Sequence, residues 1–400
     1  MKRYIVSILL LSIIVLSIGA FYIQSAASGS PQFSLKKQTG NQKEAEQVNI
    51  HGSYHNDYFI DVVTITENGS VYYKEMGLID KTEKLFSDND GHKDLDKKYR
   101  SFMRGKTGSN SFYEDGDYLI YGDVDYHFGQ MANDFTFTLS MLEKDSETEK
   151  SFKVEIPNKE KYSFISIEDI QLIDNKLKIL TRNEDYDSDN TEVHLYTINV
   201  AAKEIDQDKI VLSTRSEGKN LSTYLQQLNQ TNTRQPSKFT FYFKDISKDI
   251  EKEEGTYSER INTELVMIDL DKGKGIKVES PKEYQYNANM LPYYDGEMIY
   301  FAQPGENGLQ LVTYSHKDGR IVNSIETGLA HSEAGFQFAV KNGKAYILTT
   351  PDRIGQNPSS VPSLKIFEIK SGKELYQGVV ELKNQNKTEG YLMIDWLTLE

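Results

Sequence analysis

From Val48 onward the chain alternates apolar and polar residues in short runs. "FTFTLSML", "EVHLYTINV", "ELVMIDL", "LQLVTYS" and "SLKIFEI" each repeat with a period near two. That pattern predicts strands that bury one face. Turn formers punctuate the runs at Asn68-Gly69, Asp115-Gly116, Asp174-Asn175, Asp295-Gly296 and Asn342-Gly343. Such pairs predict hairpins, because a type I′ turn needs positive φ at both central residues. Helical periodicity is scarce. Leu221 to Gln230, "LSTYLQQLNQ", is its clearest instance, and it is short.

The predicted strands come in sets of four. Gly335 to Leu382 holds one set, and Asn287 to Thr327, Ser109 to Pro157 and Ile165 to Arg215 repeat its grammar. Pro236 to Pro281 does so with a longer interior. Four-stranded units of about 45–60 residues resemble the blades of β-propeller proteins. No Gly-His/Trp-Asp pair, kelch Gly-Gly or Asp-box recurs, so the resemblance is to a fold and not to one family. Two fragments remain: a hairpin with part of another strand in Asp57 to Phe86, and a lone strand in Gly390 to Glu400. Joining them predicts a sixth blade and a closed ring, which removes an open sheet edge. Leu392, Ile394 and Trp396 would then share the buried side of the last strand, opposite Asp395. Two packed β-sheet domains are the alternative, since the repeat period is imprecise.

In a four-stranded meander the second-to-third connections leave on one face. Here they are long: Asp125 to Asp134, Asn183 to Thr191, Lys244 to Asn262 and Pro351 to Pro362. Long loops on a rigid scaffold are where binding residues collect, so this face is the expected functional surface.

Ahead of the strands stands "MKRYIVSILLLSIIVLSIGAFYIQSAAS". Tyr4 to Ile23 is apolar over about the length a helix needs to cross a bilayer, behind Lys2 and Arg3. The positive flank puts the remainder outside the membrane. Residues 1–27 are therefore expected to be a signal anchor or, with cleavage near Ala27, a signal peptide. Residues 28–47 are polar and read as a disordered tether. Residues 48–400 are the folded, extracytoplasmic domain.

Composition narrows the function classes. Aspartate and glutamate number 60 against 46 lysines and arginines, a net charge of -14, and no basic stripe breaks it; this speaks against nucleic acid. The absence of cysteine excludes disulfides, thiol nucleophiles and Cys-type zinc sites. Tyrosine is abundant, at 26, which favours strands.

Chemistry-bearing patterns are sparse. Asp185, Asp187 and Asp189 alternate as in the first half of a calcium loop, with Asn190 at the usual glycine, though no glutamate closes it. Asp88 to Asp96 is a second, weaker acidic run, and His51 and His55 are spaced by four. No G-x-S-x-G elbow is present, and the other histidines are scattered. The sequence thus points to a non-catalytic, membrane-tethered binding protein with a protein or cell-envelope ligand on its loop-rich face. A secreted carboxylate-based hydrolase or lyase acting on glycans is one alternative, and an envelope sensor subunit for a membrane partner is another.

Overall fold

The alternating runs form strands, and the strands assemble into six sheets among the described residues of the computed structural model. Those residues are 30–56, 60–77, 81, 92–108, 110–126, 134–215, 218, 220–230, 233–252, 255–279, 292–306, 308–329, 335–350, 361–383 and 390–399. Sheet I runs Tyr391–Leu399, Val48–His55, Ile60–Ile65, Ser70–Tyr72. Sheet II is Phe112–Glu114, Tyr118–Asp125, Thr136–Glu143, Thr148–Glu155, and sheet III is Tyr162–Ile173, Lys176–Asp185, Thr191–Asn199, Glu204–Ser213. Sheet IV is Leu221–Gln227, Phe239–Lys252, Gly255–Asp269, Lys274–Val278. Sheet V joins Asn229–Gln230, in parallel, to Tyr293–Tyr294, Ile299–Gly305, Gly308–Ser315 and Arg320–Glu326. Sheet VI is Phe336–Lys341, Lys344–Thr349, Ser363–Glu368, Glu374–Leu382 and Phe33–Gly40.

One turn recurs between third and fourth strands. Glu147, Lys203, Gly273, Gly319 and Gly372 each take positive φ there, in sheets II to VI. Three are glycine, the residue for which that conformation is free of a Cβ clash. From sheet II to sheet VI, sheets adjacent in the chain pack face to face, and sheet VI packs on sheet I. Shared apolar clusters join II to III through Phe137, Ile179 and Tyr196, III to IV through Leu180, Leu225 and Tyr242, and IV to V through Phe243 and Phe301. V meets VI around Leu311 and Ile347, and VI meets I around Ile50, Val63 and Tyr346. Outermost strands such as "TEKSFKVE" and "KGIKV" are mostly exposed and charged, which blunts their edges against further pairing.

The tyrosine usage has a structural reason. Tyr72, Tyr196, Tyr242, Tyr314 and Tyr346 are fully buried between sheets. Their hydroxyls find partners where a phenylalanine would need none: Tyr72 donates to the Pro31 carbonyl (2.6 Å), and Tyr314 donates to that of Glu279 (2.5 Å). Each ring supplies apolar area, and the tips of Tyr72 and Tyr314 tie down the backbone just outside the strands.

Four expectations change. Phe33–Gly40 belongs to sheet VI instead of a tether, because Phe33 and Leu35 alternate and bury against it, 4% and 2% exposed. Leu221 to Gln230 is extended, not helical. Leu225 packs on sheet III while its strand pairs with Tyr242 to Lys248, and that pairing outweighs the helical spacing of its leucines. Accordingly, Pro236 to Pro281 supplies three strands, and Lys244 to Asn262 is a continuing hairpin rather than a loop. The fourth change is in the C-terminal strand. It pairs with Val48–His55, but the register slips between His51↔Trp396 and Gly52↔Ile394, leaving Asp395 as an extra residue. Beyond this bulge the sides exchange. Leu392 is buried and Ile394, Leu397 and Leu399 are partly buried against the core, whereas Trp396 is 49% exposed. Gly52 sits at the slip, where a Cβ would come 2.3 Å from the Met393 carbonyl oxygen.

The far face of sheet I carries Ile60, Val62, Val71, Met393 and Trp396, all exposed. Among the described residues no apolar cluster joins it to sheet II. Two short helices, Lys93–Lys98 and Arg100–Met103, instead cover sheet II through Leu95, Phe102 and Met103. Tyr4 to Ile23 lies outside the described residues, and no helix among those described is long and apolar enough to cross a membrane.

Candidate functional site

The long strand Lys176–Asp185 carries Arg182 past the apolar contact of sheets III and IV. There its guanidinium meets Glu168, one strand over. Nε donates to Glu168 Oε1 at 2.7 Å and Nη2 donates to the Leu225 carbonyl at 3.0 Å. The second Glu168 oxygen accepts from the Tyr242 hydroxyl, which is fully buried. Burial alone would make the guanidinium easier to deprotonate, but the Glu168 carboxylate outweighs it and holds Arg182 above its ordinary range. Burial followed by the same carboxylate pushes the Tyr242 hydroxyl well up.

This pair forms the wall of a cavity of about 700 Å³. Sheet III contributes Glu168, Arg182 and Glu184, sheet IV Tyr224, Gln226 and Gln227, sheet V Asn229 and Tyr293, and Asn110 enters from just before sheet II. Burial raises the Tyr293 hydroxyl to about 12, so it stays protonated. Tyr224 donates its hydroxyl to Gln226 Oε1 (2.9 Å), and Gln227 Nε2 donates to Thr240 Oγ1 (3.0 Å). The lining is hydrogen-bonding and mostly uncharged. Arg182 and Glu184 lie near the end of a second strand and Tyr293 at the start of a first strand, whereas Tyr224 lies midway along a first strand that Gln226 and Gln227 close. No motif marks the cavity's residues, because they come from separate segments. The one local signal is Arg182 itself, a cation two residues beyond the mainly apolar run "LKIL".

The calcium candidates occupy the tip between Lys176–Asp185 and Thr191–Asn199. Asp185 turns back on its own hairpin. Its carboxylate accepts from Ser188 Oγ (3.0 Å) and Asn190 Nδ2 (3.2 Å) and lies 3.5 Å from Lys161 Nζ. Asp187 and Asp189 line the same open pocket of about 610 Å³, yet no three acidic or histidine side chains among the described residues gather around a metal position.

Beneath the tip lies a buried polar network. His194 Nδ1 is 2.6 Å from Asp208 Oδ1, and its Nε2 is 2.9 Å from the Tyr162 hydroxyl and 3.2 Å from Glu192 Oε2. Lys161 Nζ donates to the same Glu192 oxygen at 2.6 Å. Burial opposes ionisation of Glu192, but hydrogen bonds from Lys161, His194 and Tyr162 hold its carboxyl below the usual range.

The remaining candidates have structural partners. His51 is 5.3 Å from the Trp396 ring and His55 is 5.0 Å from Tyr391, both stacked across the sheet I pairing rather than turned to a metal. Asp94 is held by both terminal nitrogens of Arg234 (3.0 and 3.1 Å). Asp88, Asp90, Gly91, His127 and His331 lie outside the described residues.

No family model matches the chain, and no curated protein does. Among solved structures it is similar to TolB from Acinetobacter baumannii at 10% identity, over 65% of this chain and 68% of that one, with a TM-score of 0.27. It is similar to the Dos1 propeller at 9% identity, over 71% and 65%, with a TM-score of 0.33. A Synechocystis apocarotenoid oxygenase matches at 9%, over 72% and 64%, also at 0.33. The chain thus spans less than two thirds of the length of the last two. Likenesses this slight assign neither a fold nor an activity.

Proposed function

We propose that the six sheets are blades of one ring, closed where Tyr391–Leu399 completes sheet I. The ring stands outside the membrane on the segment Tyr4 to Ile23 and binds a ligand in the cavity around Arg182 without transforming it. Face-to-face packing of successive sheets and the recurrent third-to-fourth turn support the ring. The charge pattern Lys2-Arg3 before an apolar segment supports the placement.

The observation that carries the binding role is the locked pair. A general acid or base must be able to exchange its proton during turnover. Glu168, the more buried of the two lining carboxylates, is instead fastened at one oxygen to Arg182 and at the other to Tyr242, while Glu184 lies at the exposed rim. That geometry holds a surface in place.

A benzophenone-bearing residue placed at Glu184, on the rim, should capture a ligand in living cells, and Gln226→Ala should reduce the capture. Undiminished capture by Gln226→Ala would remove the cavity from the account, and turnover of glycans or esters by the pure protein would replace binding by catalysis. Protease added to sealed cells should digest the sheets. Protection until lysis would overturn the orientation.

A further inference from the structure

We infer that the ligand of this cavity is a neutral oligosaccharide; this rests on the binding role proposed for the same cavity. The first ground is charge. Arg182 is the one cation among the described lining residues, and Glu168 already neutralises it at 2.7 Å. An anionic ligand would have to displace Glu168 and leave a carboxylate unpaired in a half-buried wall, which is costly. A cation would find only Glu184, at the exposed rim. The cavity therefore favours a ligand without charge.

The second ground is the kind of polarity. Asn110, Gln226, Gln227 and Asn229 line the cavity with side-chain amides, of which Gln226 Oε1 already accepts from Tyr224 and Gln227 Nε2 already donates to Thr240. Neighbouring hydroxyls on a sugar ring present the complementary pattern, because each hydroxyl donates and accepts. A lipid chain would meet none of this polarity with groups of its own, and Leu228 is the single aliphatic residue among the described lining residues.

The third ground is Tyr224. Its side chain is 56% exposed, but its hydroxyl is fastened to Gln226 Oε1, so the ring is held in place rather than swinging free. A fixed, exposed aromatic ring offers a flat apolar face beside polar groups. The C–H faces of a sugar need that surface, with the hydroxyls at its edge directed to the amides. The volume, about 700 Å³, falls within the roughly 300–1,000 Å³ of ordinary ligand cavities.

Calorimetric titration of the full chain, in a detergent without a sugar headgroup, tests this directly. The probes are maltohexaose, cellohexaose and chitohexaose, with an oligogalacturonate and a neutral Gly/Ser/Asn hexapeptide alongside. At least one neutral hexasaccharide should bind in preference to the oligogalacturonate. Tyr224→Ala should weaken it by roughly tenfold, and Tyr224→Phe, which keeps the ring but releases it from Gln226, should weaken it by less. Failure of every neutral hexasaccharide at millimolar concentration overturns the ligand class. If the peptide or the charged sugar binds instead and Tyr224→Ala abolishes it, the class falls while cavity binding stands. If no probe responds to Tyr224→Ala, both fall.

Discussion

Removing the C-terminal strand is the sharpest perturbation of this fold. A chain ending at Glu389 would lose the partner of Val48–His55 along its whole length and bare a sheet edge. Leu392 is fully buried there, and Ile394, Leu397 and Leu399 are partly buried against the same cluster. At about 1.5–3 kcal/mol for full burial of a large apolar side chain, Leu392 contributes about 2 and the other three about 1 each, roughly 5 kcal/mol together. Domain stabilities are typically about 5–15 kcal/mol, so the truncated chain should be marginal or unfolded. The bulge at Asp395 makes a finer prediction. Leu392→Ala should cost about 3 kcal/mol, because it empties a filled core position. Trp396→Ala should cost about 1 kcal/mol or less, since its ring is half exposed and makes one stacked contact with His51. Urea melts of the three variants against the parent measure all of this. Equal costs for Trp396 and Leu392 would refute the register slip, and an unchanged midpoint on truncation would refute the closing role of the strand.

Two further tests address other elements. Glu192 is held below the ordinary glutamate value of 4.5, so the stability it contributes is complete above that pH and is lost as pH falls through its lower folded value. Unfolding free energy should drop less steeply below about pH 4.5 in Glu192→Gln than in the parent, and identical slopes would rule the network out as the cause. Gly343 has φ of +71° with nothing within 4 Å of the position a Cβ would take, so Gly343→Ala should cost about 1–2 kcal/mol through backbone strain alone. A neutral result in melts would mean the turn relaxes.

What was legible in the sequence was whatever has a local period. The strands of sheets II, III, V and VI follow from alternation, and the Asn342-Gly343 and Asp174-Asn175 hairpins follow from residues that tolerate positive φ. Phe33–Gly40 escapes a reading by pattern because only Phe33 and Leu35 are apolar, and Lys36 to Gly40 are exposed at a sheet edge. Leu221, Leu225 and Leu228 have a spacing that fits a helix as well as a strand, and a partner some twenty residues away decides between them. The side on which Trp396 lies depends on one unpaired residue, which alternation cannot register. The cavity was hidden for a different reason. Glu168, Arg182, Tyr224 and Tyr293 meet only after four sheet strands are placed, and no spacing along the chain encodes that.

The Arg182–Glu168 pair can be separated into what serves the fold and what serves the site. Two charges at 22% and 11% side-chain exposure have given up much of their hydration, and their attraction does no more than compensate. Apolar residues of similar volume would fill the same space at no net cost, so stability alone does not account for the pair. Glu168→Gln leaves Arg182 without its counter-charge and should cost roughly 3 kcal/mol. The double variant Glu168→Leu with Arg182→Met should recover part of that loss, because no charge is then left unpaired although the buried Tyr242 hydroxyl loses its acceptor. It should still abolish crosslinking from Glu184, since the wall that sets the cavity's polarity has gone. Chemical melts and in-cell capture on the same three proteins read the two properties separately. If the double variant is as unstable as Glu168→Gln, the pair is a structural element of the contact between sheets III and IV. If it is stable and still captures ligand, the cavity does not need the pair, and the binding surface must lie elsewhere.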